Sequence, residues 1–107
     1  MTEKAYHKLS FRQARELMDA EPSYCFFDVR EEEEYVTGHA DGAQLFPLGS
    51  IDEDSAAERI PSLDTPVLVY CRSGARSYQA ALKLISLGYT RLYDMGGLNG
   101  WPYGIAW

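Results

Sequence analysis

Val67-Leu68-Val69-Tyr70-Cys71-Arg72-Ser73-Gly74-Ala75-Arg76-Ser77 decides how this chain is read, and it continues into Tyr78-Gln79-Ala80-Ala81-Leu82-Lys83-Leu84-Ile85. An apolar, β-branched run of strand length ends at a cysteine. A short loop with two arginines and a glycine follows, and then apolar residues recur at helical spacing. The pattern predicts a strand, a loop and a helix N-terminus, with a thiol at the first loop position. The helix is expected over 77–87, with Gly88 as the residue just past its end. Ser77 then has two readings, as the helix N-cap or as a hydroxyl donor into the loop.

Working outward, Ser10 and Gln13 form a capping-box pattern ahead of Phe11, Ala14, Leu17 and Met18, which recur at helical spacing to about Ala20. Tyr24 to Val29 is apolar on successive positions, as in a strand covered on both faces. Glu31 to Tyr35 reads as a short helix, Ala43 to Phe46 as a short strand, and 51–60 as a weakly helical surface segment. Downstream, Arg91-Leu92-Tyr93 reads as a last strand. Met95-Gly96-Gly97-Leu98-Asn99-Gly100-Trp101 reads as a glycine-rich turn entering a short helical segment, and 102–107 as a tail. Strands alternating with helices indicate a small α/β domain with a mainly parallel sheet.

The 107 residues suffice for one core, and no linker or repeat divides them. A net charge of −6 argues against nucleic-acid binding, because no basic stripe exists to displace counterions. Two cysteines are too few for a disulfide scaffold. Cys25 lies inside the apolar run Tyr24–Phe27 and reads as a small core residue. Two histidines and two cysteines, scattered singly, offer no metal-ligand spacing, so neither a metal nor a cofactor is expected. Residues 1–8 are polar and lack the apolar core of a signal peptide, and no apolar run has membrane-spanning length. A cytoplasmic protein without a membrane partner is the expectation.

A thiol acts as a nucleophile only as thiolate, and a free cysteine has a pKa of about 8.5. Three features are expected to lower that value at Cys71. The loop leads into a helix N-terminus, Arg72 and Arg76 bring two cations, and Gly74 lets successive N–H groups turn inward as an anion nest. Backbone donors from residues 72–77, including Ser73, Gly74, Ala75 and Ser77, would stabilise the charge. Tyrosine phosphatases use Cys-x5-Arg, whereas Cys71-x4-Arg76 is one residue shorter. That leaves less room for a phosphoryl group and suits one added sulfur atom, a persulfide.

On these residues the sequence resembles the rhodanese family, from about Leu9 to Trp101. Cys71-Arg72-Ser73-Gly74-Ala75-Arg76-Ser77 fits the family's Cys-Arg-x-Gly-x-Arg-Ser loop. Asp28-Val29-Arg30, Glu34-Tyr35 and Gly38-His39 match its upstream block, and Gly96-Gly97 with Trp101 its close. One departure is Ala40-Asp41-Gly42-Ala43, where the family usually has Ile-Pro-Gly-Ala; the small Ala40 implies a shallower contact, or compensation by Phe46. The resemblance implies one module with a parallel sheet of about five strands between helices. It also implies ping-pong sulfur transfer from thiosulfate, through a persulfide on Cys71, to cyanide, a thiol or a thioredoxin-like dithiol protein. Arg72 and Arg76 would then bind the anionic donor. Asp28, Arg30, Glu34 and His39 are expected to support the site as an ion-pair and hydrogen-bond cluster. Tyr78 and Trp101 are candidates for the pocket mouth. Two rival readings are a regulatory module or persulfide relay for a particular partner, and a small phosphatase or arsenate reductase. Regulatory modules commonly lose the loop cysteine, a relay shares the chemistry and differs only in its acceptor, and the x4 spacing speaks against the phosphatase or reductase.

Overall fold

The computed structural model of the chain describes residues 2–107; Met1, the first residue of the expected domain, lies outside the described residues. The elements in order are α1 (Thr2–Ala5), β1 (Tyr6–Lys8), α2 (Phe11–Ala20), β2 (Cys25–Asp28), α3 (Glu32–Tyr35), β3 (His39–Ala40) and β4 (Gln44–Leu45). A 3-10 turn (Leu48–Ser50) precedes α4 (Glu53–Arg59), β5 (Val67–Cys71), α5 (Ala75–Ser86), β6 (Leu92–Gly97) and β7 (Ile105–Ala106). Five strands form one parallel sheet in the order β1-β6-β5-β2-β4, while β3 and β7 make a separate antiparallel pair.

The centre of that sheet is β5, buried at all five positions. Successive side chains point to opposite faces, so its run of apolar residues serves two cores at once. Val67, Val69 and Cys71 pack with Ala80, Ala81 and Leu84 of α5 and with Ala56 of α4. Leu68 and Tyr70 pack on the other face with Ala14 and Met18 of α2 and with Trp101. Helices therefore cover both faces, and the thiol lies on the α5 side. Each large side chain fully buried this way contributes about 1.5–3 kcal/mol.

Local chemistry set most boundaries where the sequence puts them. Ser10 and Gln13 exchange both capping-box hydrogen bonds, at 2.9 and 3.1 Å. Gly88, at φ 106°, follows Leu87, the C-cap of α5, and its N–H and that of Tyr89 bond back to Ile85 and Leu84. Other expectations fail for identifiable reasons. The helix α5 begins at Ala75, not Ser77, because Gly74 takes a left-handed φ of 102° and serves as N-cap; Ser77 sits inside the first turn and is not the cap. No helix follows Gly97. The Leu98 N–H instead bonds to the Cys71 carbonyl at 3.0 Å, which ties this turn to the loop.

The strand β1 lies within a lead-in too polar to show strand periodicity; it forms because it completes an edge beside β6. The tail pairs as β7 with β3, yet Trp107 stays exposed. Cys25 is only half-buried, its Sγ lying 3.6 Å from the Arg59 carbonyl. Phe46 does not compensate for Ala40. It packs against Phe27 on the opposite face, whereas Ala40 is fully buried with Tyr70, Met95 and Trp101.

One polar cluster fixes the carboxyl ends of β2 and β5. Asp28, fully buried, accepts from Arg30 Nε and Nη2 at 3.0 and 2.7 Å and from the Tyr70 hydroxyl at 2.7 Å. Arg30 Nη2 also donates to the Gly38 carbonyl at 2.7 Å. Such a pair is strongly bound to its geometry, since removing one partner leaves a buried charge and costs about 3–5 kcal/mol.

Candidate active site

The thiol sits where a parallel strand ends and a helix begins, at the carboxyl edge of the sheet. There the register between β5 and β6 shifts: Val69 faces Asp94, but Cys71 faces Gly97. This irregularity turns the chain out of the ladder just before the loop. Cys71 itself is fully buried. The loop rests on β6 so closely that a Cβ on Gly97 would overlap the Arg72 carbonyl oxygen. Beneath it, buried Asp94 accepts from the Gly96 N–H at 2.8 Å and from the Tyr6 hydroxyl at 2.6 Å. No local pattern in the sequence marks that support, because it depends on the edge strand β1, which forms only beside β6.

Around the sulfur the donors converge. The Gly74 N–H lies 2.9 Å from Cys71 Sγ. The thiol lies 3.7 Å from Ser77 Oγ, which also reaches the Gly74 carbonyl at 3.1 Å. Burial alone would push this thiol up. The backbone and hydroxyl of Ser77 and the N–H groups of Gly74 and Ser73 outweigh burial, so its pKa falls below the ordinary value. Hydrogen bonds from the cradle thus lead the stabilisation of the thiolate, as expected of a nest opening a helix. With the cap taken by Gly74, the Ser77 hydroxyl donates to the Gly74 carbonyl and lies within reach of the sulfur. Ala75, in the same first turn, is exposed.

The two arginines diverge. Arg72 is exposed, and among the described residues it makes no ion pair or side-chain hydrogen bond. Its neighbourhood is a cavity of about 360 Å³ lined also by Arg30, Leu98, Trp101 and Ile105. Arg76 instead makes a two-point pair with Glu34, Nη1–Oε1 2.6 Å and Nη2–Oε2 2.9 Å. The hydrogen bond from Arg76 holds Glu34 down at about 2, and Arg76 is raised in turn. Glu34 therefore belongs to the loop rather than to the Asp28–Arg30 pair. No signal in the sequence links residues 42 positions apart.

Asp28 and Arg30 form the structural ion pair described above. His39 stacks on Tyr35 at 3.7 Å and its Nδ1 donates to the Tyr35 carbonyl at 3.0 Å, an arrangement that holds the turn after α3. Trp101 lines the cavity, whereas Tyr78 stands edge-on to Tyr6 at 5.4 Å. No helix is long and apolar enough to cross a membrane among the described residues.

A buried, hydrogen-bonded thiolate at the end of a strand can attack an electrophilic sulfur and hold the product anion in the same donors. The chain is similar to known proteins. The model of the rhodanese-like domain matches residues 10–102. The thiosulfate sulfurtransferase GlpE of Tolumonas auensis is 34% identical over 99 residues, spanning 92% of this chain and 90% of that protein. The thiosulfate sulfurtransferase PspE of Escherichia coli is 38% identical over 74 residues, 69% of this chain and 70% of that protein. A solved structure described as rhodanese with anions from E. coli superposes with a TM-score of 0.72 at 32% identity, covering 78% of this chain and 98% of that one.

Proposed function

The chain belongs to the rhodanese-like domain family, and from that premise we propose that it is a sulfurtransferase working through a persulfide on Cys71. The Cys71 thiolate attacks the outer sulfur of thiosulfate. A Cys71 S–S bond forms, the bond from that sulfur to the sulfonate breaks, and its electron pair leaves on sulfite. Charge is conserved, with a thiolate and a dianion giving a persulfide anion and a sulfite dianion. In the second half-reaction cyanide or a thiolate attacks the terminal sulfur and restores the Cys71 thiolate, releasing thiocyanate or a new persulfide.

The observation that carries this reading is the short donor cradle, with the Gly74 N–H at 2.9 Å from Sγ and Ser77 Oγ at 3.7 Å. Those donors also suit an anion one atom further out. Arg72 meets the anionic donor at the mouth, and a thiol or dithiol protein of thioredoxin type is the proposed acceptor class. Incubation with thiosulfate followed by intact-mass measurement is expected to show one added sulfur, discharged by cyanide as thiocyanate. Cys71→Ser is expected to abolish both signals. A wild-type protein that neither gains the sulfur nor forms thiocyanate would rule out the reading.

A further inference from the structure

Three guanidinium groups stand near the loop, but two of them are compensated. Arg30 is committed to Asp28 and the Gly38 carbonyl. Arg76 is committed to Glu34 by two short contacts, with both side chains less than one-third exposed. Glu34 is held from its own side as well, since its Oε1 accepts from the Glu31 N–H at 2.9 Å. The pair therefore clamps the start of α3 to the first turn of α5. Besides Glu34, Arg76 experiences the charges of Cys71 and Glu31. A carboxylate in two-point contact cancels most of the field that a guanidinium would project toward the sulfur.

We infer that Glu34 is a positioning residue that sets donor specificity: by holding Arg76 in a closed pair it cancels one of the two loop guanidinium groups, leaving Arg72 and the Lys8 ammonium over Gly96 as the nearby cations without a carboxylate partner among the described residues. The inference rests on the sulfur-transfer reading for its substrate but not for its electrostatics. A site whose second loop arginine is cancelled discriminates less between singly and doubly charged donors. It admits a monoanionic donor, an organic thiosulfonate or a small-molecule persulfide, on nearly the same terms as dianionic thiosulfate. A site with both arginines free would favour the dianion.

The experiment compares Glu34→Gln with wild type at one pH and ionic strength, using two pairs of probes. The first pair is iodoacetate and iodoacetamide, which alkylate Cys71 and differ by one negative charge. The expected result is a rise of about threefold in the iodoacetate-to-iodoacetamide rate ratio, the size of a partly exposed charge interaction. The second pair is thiosulfate and benzenethiosulfonate, with kcat/KM for the dianion expected to rise by a similar factor relative to the monoanion. The double variant Glu34→Gln/Arg76→Gln is expected to return both ratios close to wild type. Arg72→Gln, with Glu34 intact, is expected to lower both.

A part that is merely structural would leave these ratios unmoved while slowing every reaction. An unchanged or lowered ratio in Glu34→Gln, a gain that survives in the double variant, or a ratio indifferent to Arg72 would each overturn the inference. If the alkylation ratios respond as expected but no sulfur is ever transferred, the assignment of Glu34 stands and the proposed function falls.

Discussion

Ser77 carries more of the chemistry than its position in a helix implies. It is fully buried, its hydroxyl stands between the Gly74 carbonyl and Cys71 Sγ, and its backbone and side chain are the first influences after burial on the thiol. When the sulfur is ionised, the hydroxyl proton can turn from the carbonyl to the anion. In Ser77→Ala that donor is lost and burial gains ground, so the Cys71 pKa is expected to rise. The pH profile of alkylation would move to higher pH. A lowered pKa keeps the thiolate populated as pH falls, so the loss is expected to be largest below the wild-type midpoint. At neutral pH the reaction would slow about tenfold or more, the size of a hydrogen bond to a charged group at about 1.5–3 kcal/mol. An unmoved profile would show that backbone donors alone set the thiolate.

At the level of elements, two glycines separate space from conformation. Gly97 has an ordinary φ, but a side chain there would drive into the Arg72 carbonyl and press on Ser73. Gly42 has a φ of 90° and nothing within 4 Å of an added Cβ. Gly97→Ala is therefore expected to push the loop off β6, cost about 1–3 kcal/mol as overpacking does, and remove sulfur loading. Gly42→Ala is expected to cost about 1–2 kcal/mol of backbone strain and leave loading intact. Denaturant midpoints read with loading by mass would separate the two.

The loop, β5 and α5 were legible because one continuous segment carries strand run, turn glycine and helix period together. What escaped was set by long-range partners. Tyr6-His7-Lys8 gives no strand signal on its own and becomes β1 only beside β6, and Glu34 meets Arg76 only once α3 and α5 are in place. The two-residue strands β3 and β7 are too short for any period to register.

Over the whole molecule, the net charge of −6 opposes an anionic donor, and the pairs at Arg30 and Arg76 leave Arg72 and Lys8 to counter it near the loop. Which term governs depends on ionic strength. The molecule measures 32 × 28 × 23 Å. At 0.01 M salt the screening length is about 30 Å, so a donor at the mouth feels the negative charge of every surface; at 0.15 M it is about 8 Å, and only the nearest groups act. Raising salt over this range is therefore expected to lower the KM for thiosulfate, because distant repulsion fades before the contact with Arg72 does. A site governed by two free arginines would behave in the opposite way, losing affinity with each addition of salt. In Arg72→Gln the KM is expected to be higher throughout, while the fall with salt persists, since the distant charge remains and the attraction of Arg72 has gone. Steady-state KM measured from 0.01 to 0.15 M salt decides between them, and a KM that rises with salt in the wild type would mean that the local cations outweigh the acidic remainder.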